Sequence, residues 1–243
     1  MTYALHLATV EPRPGRMFAP VQERQLHTVA LDATEGLPGA ARGLVVVPEF
    51  AGPIGVPDFT AYVGPVSSLV ERQRIGVPAV VSDIDAGIIS ATHVRRPRNV
   101  EEIAAALGWP VTTILGRMRR LVTTGALVES RPGLYTRPAE IAAHGRLYAI
   151  ETKIEDWRKA LRQVRTYRVW ADAYVLVMTG LSERTTEALQ AEARRDGGGL
   201  VVDGRWLCRP RISAATEWRR LQAQELYATA IGSNPALVAR VHP

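Results

Sequence analysis

The chain has 243 residues, 47% of them apolar, with 30 basic against 24 acidic side chains and a formal net charge of +6. That length and apolar content support a buried core and exclude a disordered polymer, while the positive balance favours a polyanionic partner, nucleic acid first. One cysteine, Cys208, excludes an internal disulfide framework and a cysteine-rich zinc site and fits a reducing cytoplasm.

The amino-terminal "MTYALHLATVEPRPG" lacks a basic region before an apolar stretch, and no segment approaches about 18 uninterrupted apolar residues, so neither a secretory leader nor a membrane partner is expected. "PVQERQLHTVALDATEG" places Val21, Leu26, Val29 and Ala30 at helical spacing before a glycine and predicts a first helix. "GLVVVPEFAGPIGVPDFTAYVG" reads as two β-branched runs around the turn-forming "AGPIG", a hairpin whose second arm Asp58 opens.

Residues 83–140 have a different texture. Ile103, Leu107, Ile114, Met118 and Leu121 fit two short helices packed across a turn at Gly108 to Pro110, and "ALVES" and "LYTRP" flank Arg131-Pro132-Gly133 as a strand pair. The segment resembles a winged helix-turn-helix module. After it come the strand "LYAIETK", a helix carrying Trp157, Ala160, Leu161, Val164 and Tyr167 on one face, and the doubly buried strand "AYVLVM". A helix "SERTTEALQAEARRD", a glycine break at 197 to 199, the strand pair "LVVDG" and "RWLCRPR" and a last helix "ATEWRRLQAQELYATAI" complete a mixed α/β order.

Chemistry concentrates in "ETK". Only Lys153 and Lys159 among the basic residues are lysines, and residues two apart on a strand share a face, so Glu151 and Lys153 project together. Alone, such a pair is commonly a surface ion pair worth under about 1 kcal/mol. Pro57-Asp58 upstream, with Gln163 and Tyr167 downstream, gives it a context. Together "VPDF", "ETK" and the Gln-x-x-x-Tyr spacing resemble the PD-(D/E)xK nuclease superfamily, with its restriction-endonuclease-like fold, over roughly residues 20 to 80 and 141 to 210. The 93 positions from Asp58 to Glu151 are long for that family, and a winged helix inserted into the core accounts for them.

The resemblance implies a mixed sheet flanked by helices, with core segments 1–82 and 141–243 around the insertion at 83–140. It implies a Mg2+-dependent deoxyribonuclease, Mn2+ substituting, with Asp58, Glu151, Lys153 and Gln163 as catalytic residues. Physically, Asp58 and Glu151 on adjacent strands offer a hard cation one oxygen each, the Thr152 carbonyl is a further ligand, and Lys153 stabilises charge on the phosphate. Glu49 and Glu23 are candidates for an additional acidic ligand, or simply solvated glutamates. His93 and His144 lack partners at metal-ligand spacing and read as structural.

For duplex DNA, the second helix of the insert offers Thr112, Thr113, Arg117, Arg119 and Arg120, and the strand pair offers Arg131 and Arg137. Arg158, Arg162, Arg165 and Arg168 form a second basic strip, or a solvated helix face. Double-strand cleavage by one centre per chain makes a homodimer an expectation. The rival readings are a DNA-binding regulator with an inactive core and an RNA-directed nuclease.

Overall fold

The computed structural model describes residues 6–7, 21–212 and 215–232. Its centre is a seven-stranded sheet in the order β1-β2-β3-β6-β7-β8-β9, formed by β1 (His6–Leu7), β2 (Leu44–Pro48), β3 (Phe59–Val63), β6 (Arg146–Lys153), β7 (Ala173–Met178), β8 (Gly199–Val202) and β9 (Arg205–Cys208). The pairs β2–β3, β3–β6 and β8–β9 are antiparallel, while β1–β2, β6–β7 and β7–β8 are parallel, so the sheet is mixed. Its central strands are rich in β-branched and aromatic residues that fit a surface buried on both faces. Every residue of β3 and β7 is buried.

Alternation along the strands divides the core. On β6, Leu147 and Ala149 join one apolar cluster, and Tyr148 and Ile150 join the other. The first face is covered by α6 (Trp157–Tyr167), which contributes Ala160, Leu161, Val164 and Tyr167, by α7 (Glu183–Asp196), and by α8 (Glu217–Gly232). The second face receives α1 (Val21–Glu35) through Ala30. Local chemistry sets the helix ends. Asp156 and Ser182 accept the first-turn amides of α6 and α7, and Gly197 closes α7 in the left-handed region that costs glycine least.

Three helices and a hairpin stand apart from the sheet: α3 (Asp83–Ala91), α4 (Val100–Leu107), α5 (Val111–Thr123), β4 (Val128–Arg131) and β5 (Leu134–Thr136). A full capping box between Asn99 and Glu102 starts α4, and Gly108 ends it. Their apolar cluster, built on Ile88, Ile103, Ile114, Met118 and Leu127, is completed by Leu221 of α8. The same α8 sends Ala223, Tyr227, Ala228 and Ile231 into the sheet's cluster.

Three elements differ from the sequence reading. β1 adds a short strand parallel to β2. Helix α2 (Val66–Arg74) follows the hairpin directly, and α3 precedes the two helices expected in the insert. The segment linking α2 to α3 is anchored by a buried ion pair, in which Arg72 donates to both oxygens of Glu225 at 2.7 and 2.6 Å and to the carbonyls of Val77 and Pro78.

Candidate functional site

Pairing of β3 with β6 sets Phe59 opposite Ile150, so Asp58, just before β3, comes level with Glu151. The Asp58 carboxylate is fastened to β6. Its Oδ2 accepts the Thr152 backbone N–H at 2.7 Å and the Thr152 hydroxyl at 2.8 Å. Glu151 and Lys153 continue the Leu147–Ala149 row on the face that α6 covers, where two polar side chains interrupt an apolar series.

Helix α6 supplies the partners. Gln163 and Tyr167 lie one turn apart, and the Gln163 amide donates to Glu151 Oε1 at 2.6 Å and to the Tyr167 hydroxyl at 3.0 Å. Tyr167 in turn donates to Glu151 Oε2 at 3.1 Å. Lys153 Nζ stands 3.0 Å from Glu151 Oε1 and 4.0 Å from Asp58 Oδ2, and donates to the Thr152 carbonyl at 2.9 Å. Asp58, Glu151, Lys153 and Gln163 are therefore one connected group.

The loop between β2 and β3 packs directly on α6. A Cβ at Gly55, where φ is +75°, would sit 2.8 Å from the Tyr167 ring, and one at Gly52 would sit 2.6 Å from Trp170. The Trp170 indole donates to the Ile54 carbonyl at 2.9 Å. Glycine at both positions lets the backbone lie against Trp170 and against Tyr167, the ring that bonds to Glu151.

Electrostatically the group is costly. Glu151 has no exposed surface. Burial, and secondly the charge of Asp58, push its carboxyl up to about 7, with Lys153 and the Tyr167 hydroxyl opposing the rise. Burial, then the charge of Glu151, also raises Tyr167 above the ordinary phenol value. A buried carboxyl beside a second carboxylate favours an added cation. The oxygens of Asp58, Glu151 and Thr152 already converge on the Lys153 ammonium, an all-oxygen set of the kind Mg2+ or Mn2+ takes. The residues present thus fit a hard divalent ion.

The other expected ligands are not drawn in. Among the described residues no three His, Cys, Asp or Glu side chains group as a metal cage, so Glu49 does not join Asp58 and Glu151 in one. Glu49 instead lies past the end of β2 with φ of +47°, its N–H donating to the Asp58 carbonyl at 2.9 Å. The Glu23 side chain lies outside the described residues. His93 and His144 are exposed and belong to no such group.

The basic residues sort by environment. On α5, Thr112, Thr113 and Arg119 are exposed, as is Arg131 at the hairpin tip. Arg120 and Arg117, also on α5, lean instead on Asp85 of α3, at 2.6 and 3.6 Å. The Arg137 side chain is only 12% exposed, donating to the Ile141 carbonyl and facing Glu217 at 3.6 Å, which makes it a tie to α8 rather than part of an open face. On α6, Arg158 and Arg162 are exposed, with Arg158 stacked 4.6 Å over Trp157. Arg165 is bound to Glu192 and Asp196 of α7 at 2.7 Å each, and Arg168 stands 4.0 Å from Asp196. The sequence strip therefore splits into an open pair and a structural clasp. The spacing of the acidic partners Asp85, Glu192 and Asp196 in the sequence does not couple them to these distant arginines. Among the described residues no helix is long and apolar enough to cross a membrane. Comparison with models of protein families, with curated proteins and with solved structures finds no match to this chain.

Proposed function

We propose that the chain is a metal-dependent DNA nuclease of the PD-(D/E)xK type. One observation carries the reading. Asp58 and Glu151 come from strands 93 positions apart in sequence, yet both face the ammonium of Lys153, at 4.0 and 3.0 Å. A purely structural ion pair needs one acid and one base. A second carboxylate clamped by the Thr152 N–H and hydroxyl, and a Gln-Tyr pair clamping the first, raise the electrostatic cost of the group, and a polyanion-cleaving centre explains that cost.

Asp58, Glu151 and the Thr152 carbonyl hold the divalent ion in this reading, and Gln163 and Tyr167 orient Glu151. Bound there, Mg2+ neutralises charge on the scissile phosphate and lowers the pKa of a coordinated water. Lys153, a compact point charge, stabilises the negative charge that builds on the phosphate oxygens, which a planar guanidinium fits less well. We read α3, α4, α5 and the β4–β5 hairpin as a winged helix that holds duplex DNA, with Thr112, Thr113, Arg119 and Arg131 outward and Arg158 and Arg162 exposed on α6, the helix that packs on Glu151.

Supercoiled plasmid incubated with Mg2+ and either wild type or Lys153→Ala tests the proposal. Nicking or linearisation by wild type, reduced at least about a hundredfold in the variant, is the expected outcome. Plasmid left intact by both proteins, though bound by both, transfers the reading to a DNA-binding regulator.

A further inference from the structure

Lys153 occupies the point on which the site's oxygens converge. Its Nζ is 3.0 Å from Glu151 Oε1, 2.9 Å from the Thr152 carbonyl and 4.0 Å from Asp58 Oδ2. A magnesium ion bound by the same atoms needs them at about 2.0–2.1 Å, which leaves no room for an ammonium among them. Like charges this close also repel one another, and a divalent ion doubles the repulsion of a single charge. The two cations therefore exclude one another.

We propose that Lys153 is the resident counter-ion of this site, and that a divalent metal binds only by displacing its ammonium. The inference rests on the metal assignment of the nuclease reading and adds a coupling to it. Exposure indicates the way out. The Lys153 side chain is 25% exposed, against 10% for Asp58 and none for Glu151, so the lysine is the member of the trio most open to solvent. Its strand also ends at this residue, where the chain leaves the sheet for α6. Without metal, the ammonium offsets two carboxylates that would otherwise repel each other. With metal, it is turned outward toward solvent, the side from which a phosphate would arrive. Loading the ion and presenting the lysine are then a single event, and by linkage each favours the other.

The chain's composition makes the test clean, since Lys153 and Lys159 are its only lysines. Protein labelled with 13C-lysine gives two Cε cross-peaks, of which Lys153→Met identifies one. On titration with Mg2+ the Lys153 peak is expected to move to saturation while that of Lys159, exposed on α6, stays in place. In parallel, Mn2+ binding is followed by loss of the free-ion electron paramagnetic resonance signal. If the ammonium fills the site in about nine molecules of ten, Lys153→Met binds Mn2+ about tenfold more tightly than wild type. Lys159→Ala, which removes a charge without touching these oxygens, is expected to bind as wild type does. A Lys153 peak that stays fixed at metal saturation, or a Met variant that binds Mn2+ no more tightly than wild type, overturns the displacement and leaves the metal site standing. Absence of Mn2+ binding by either protein overturns both.

Discussion

Replacing Glu151 by glutamine should stabilise the protein, and by an amount set by pH. The carboxyl is raised from an ordinary 4.5 to about 7 in the fold, chiefly by burial. Between those values the folded chain keeps a proton that the unfolded chain has released, so stability is fully present below about pH 4.5 and is lost as the pH rises through about 7. At about 1.4 kcal/mol per pH unit the full loss is about 3 kcal/mol near pH 8, but only about 1 kcal/mol near pH 5. Glutamine fills the same volume without the charge. It forfeits part of the hydrogen bonding from Gln163 and Tyr167, a cost of about 1 kcal/mol. The expected net effect is a gain of about 2 kcal/mol near pH 8 and about none near pH 5. For a chain of this size the gain corresponds to a rise in melting temperature of about 4–8 °C. Urea or thermal unfolding in chelator-containing buffer across that range measures it. An equal effect at both pH values, or a loss near pH 8, would refute the account of Glu151 as a desolvated, electrostatically strained acid.

Other outcomes follow from the environments of the basic residues and the loop. Arg119→Ala or Arg131→Ala should weaken DNA binding across sequences and lower the slope of log affinity against log salt by about 1 each, read by fluorescence anisotropy. Arg137→Ala should leave that slope unchanged and lower thermal stability instead, because its guanidinium is bound to Ile141 and Glu217. Glu225→Ala strands the buried Arg72 and should cost about 3–5 kcal/mol in urea unfolding. Gly55→Ala forces a side chain onto the Tyr167 ring at positive φ, costing about 1–3 kcal/mol and, through Tyr167, lowering plasmid cleavage.

The E-x-K strand and its neighbours were legible because they obey strong local rules. The period of two in "LYAIETK" puts Glu151 and Lys153 on one face, and the four-residue step from Gln163 to Tyr167 lines up two side chains on α6. The hairpin was legible from its β-branched arms, and the order of elements then brought Asp58 beside Glu151. Helices α2 and α3 escaped for identifiable reasons. At nine residues each, they are too short to display a full amphipathic repeat. Most of α3 is buried, and Gly87 at its centre is where Trp109 packs, so its composition resembles a buried strand as much as a helix. Charge partnerships were the least legible layer. Asp85 pairs with Arg117 and Arg120, and Asp196 gathers Arg165 and Arg168, through pairings that exist only once helices pack.

Helix α8 has one side in the apolar cluster of the helical lobe, through Leu221, and another in the sheet's cluster, through Tyr227 and Ile231. A lobe sharing its backing helix with the sheet is no detachable cassette. Excising residues 83–140 would uncover Leu221 of α8, and grafting the lobe elsewhere would leave it open on one side. Because a single rigid rod supports both, the angle between the lobe and the carboxylate edge is built in during folding, and the two parts should melt in one cooperative transition.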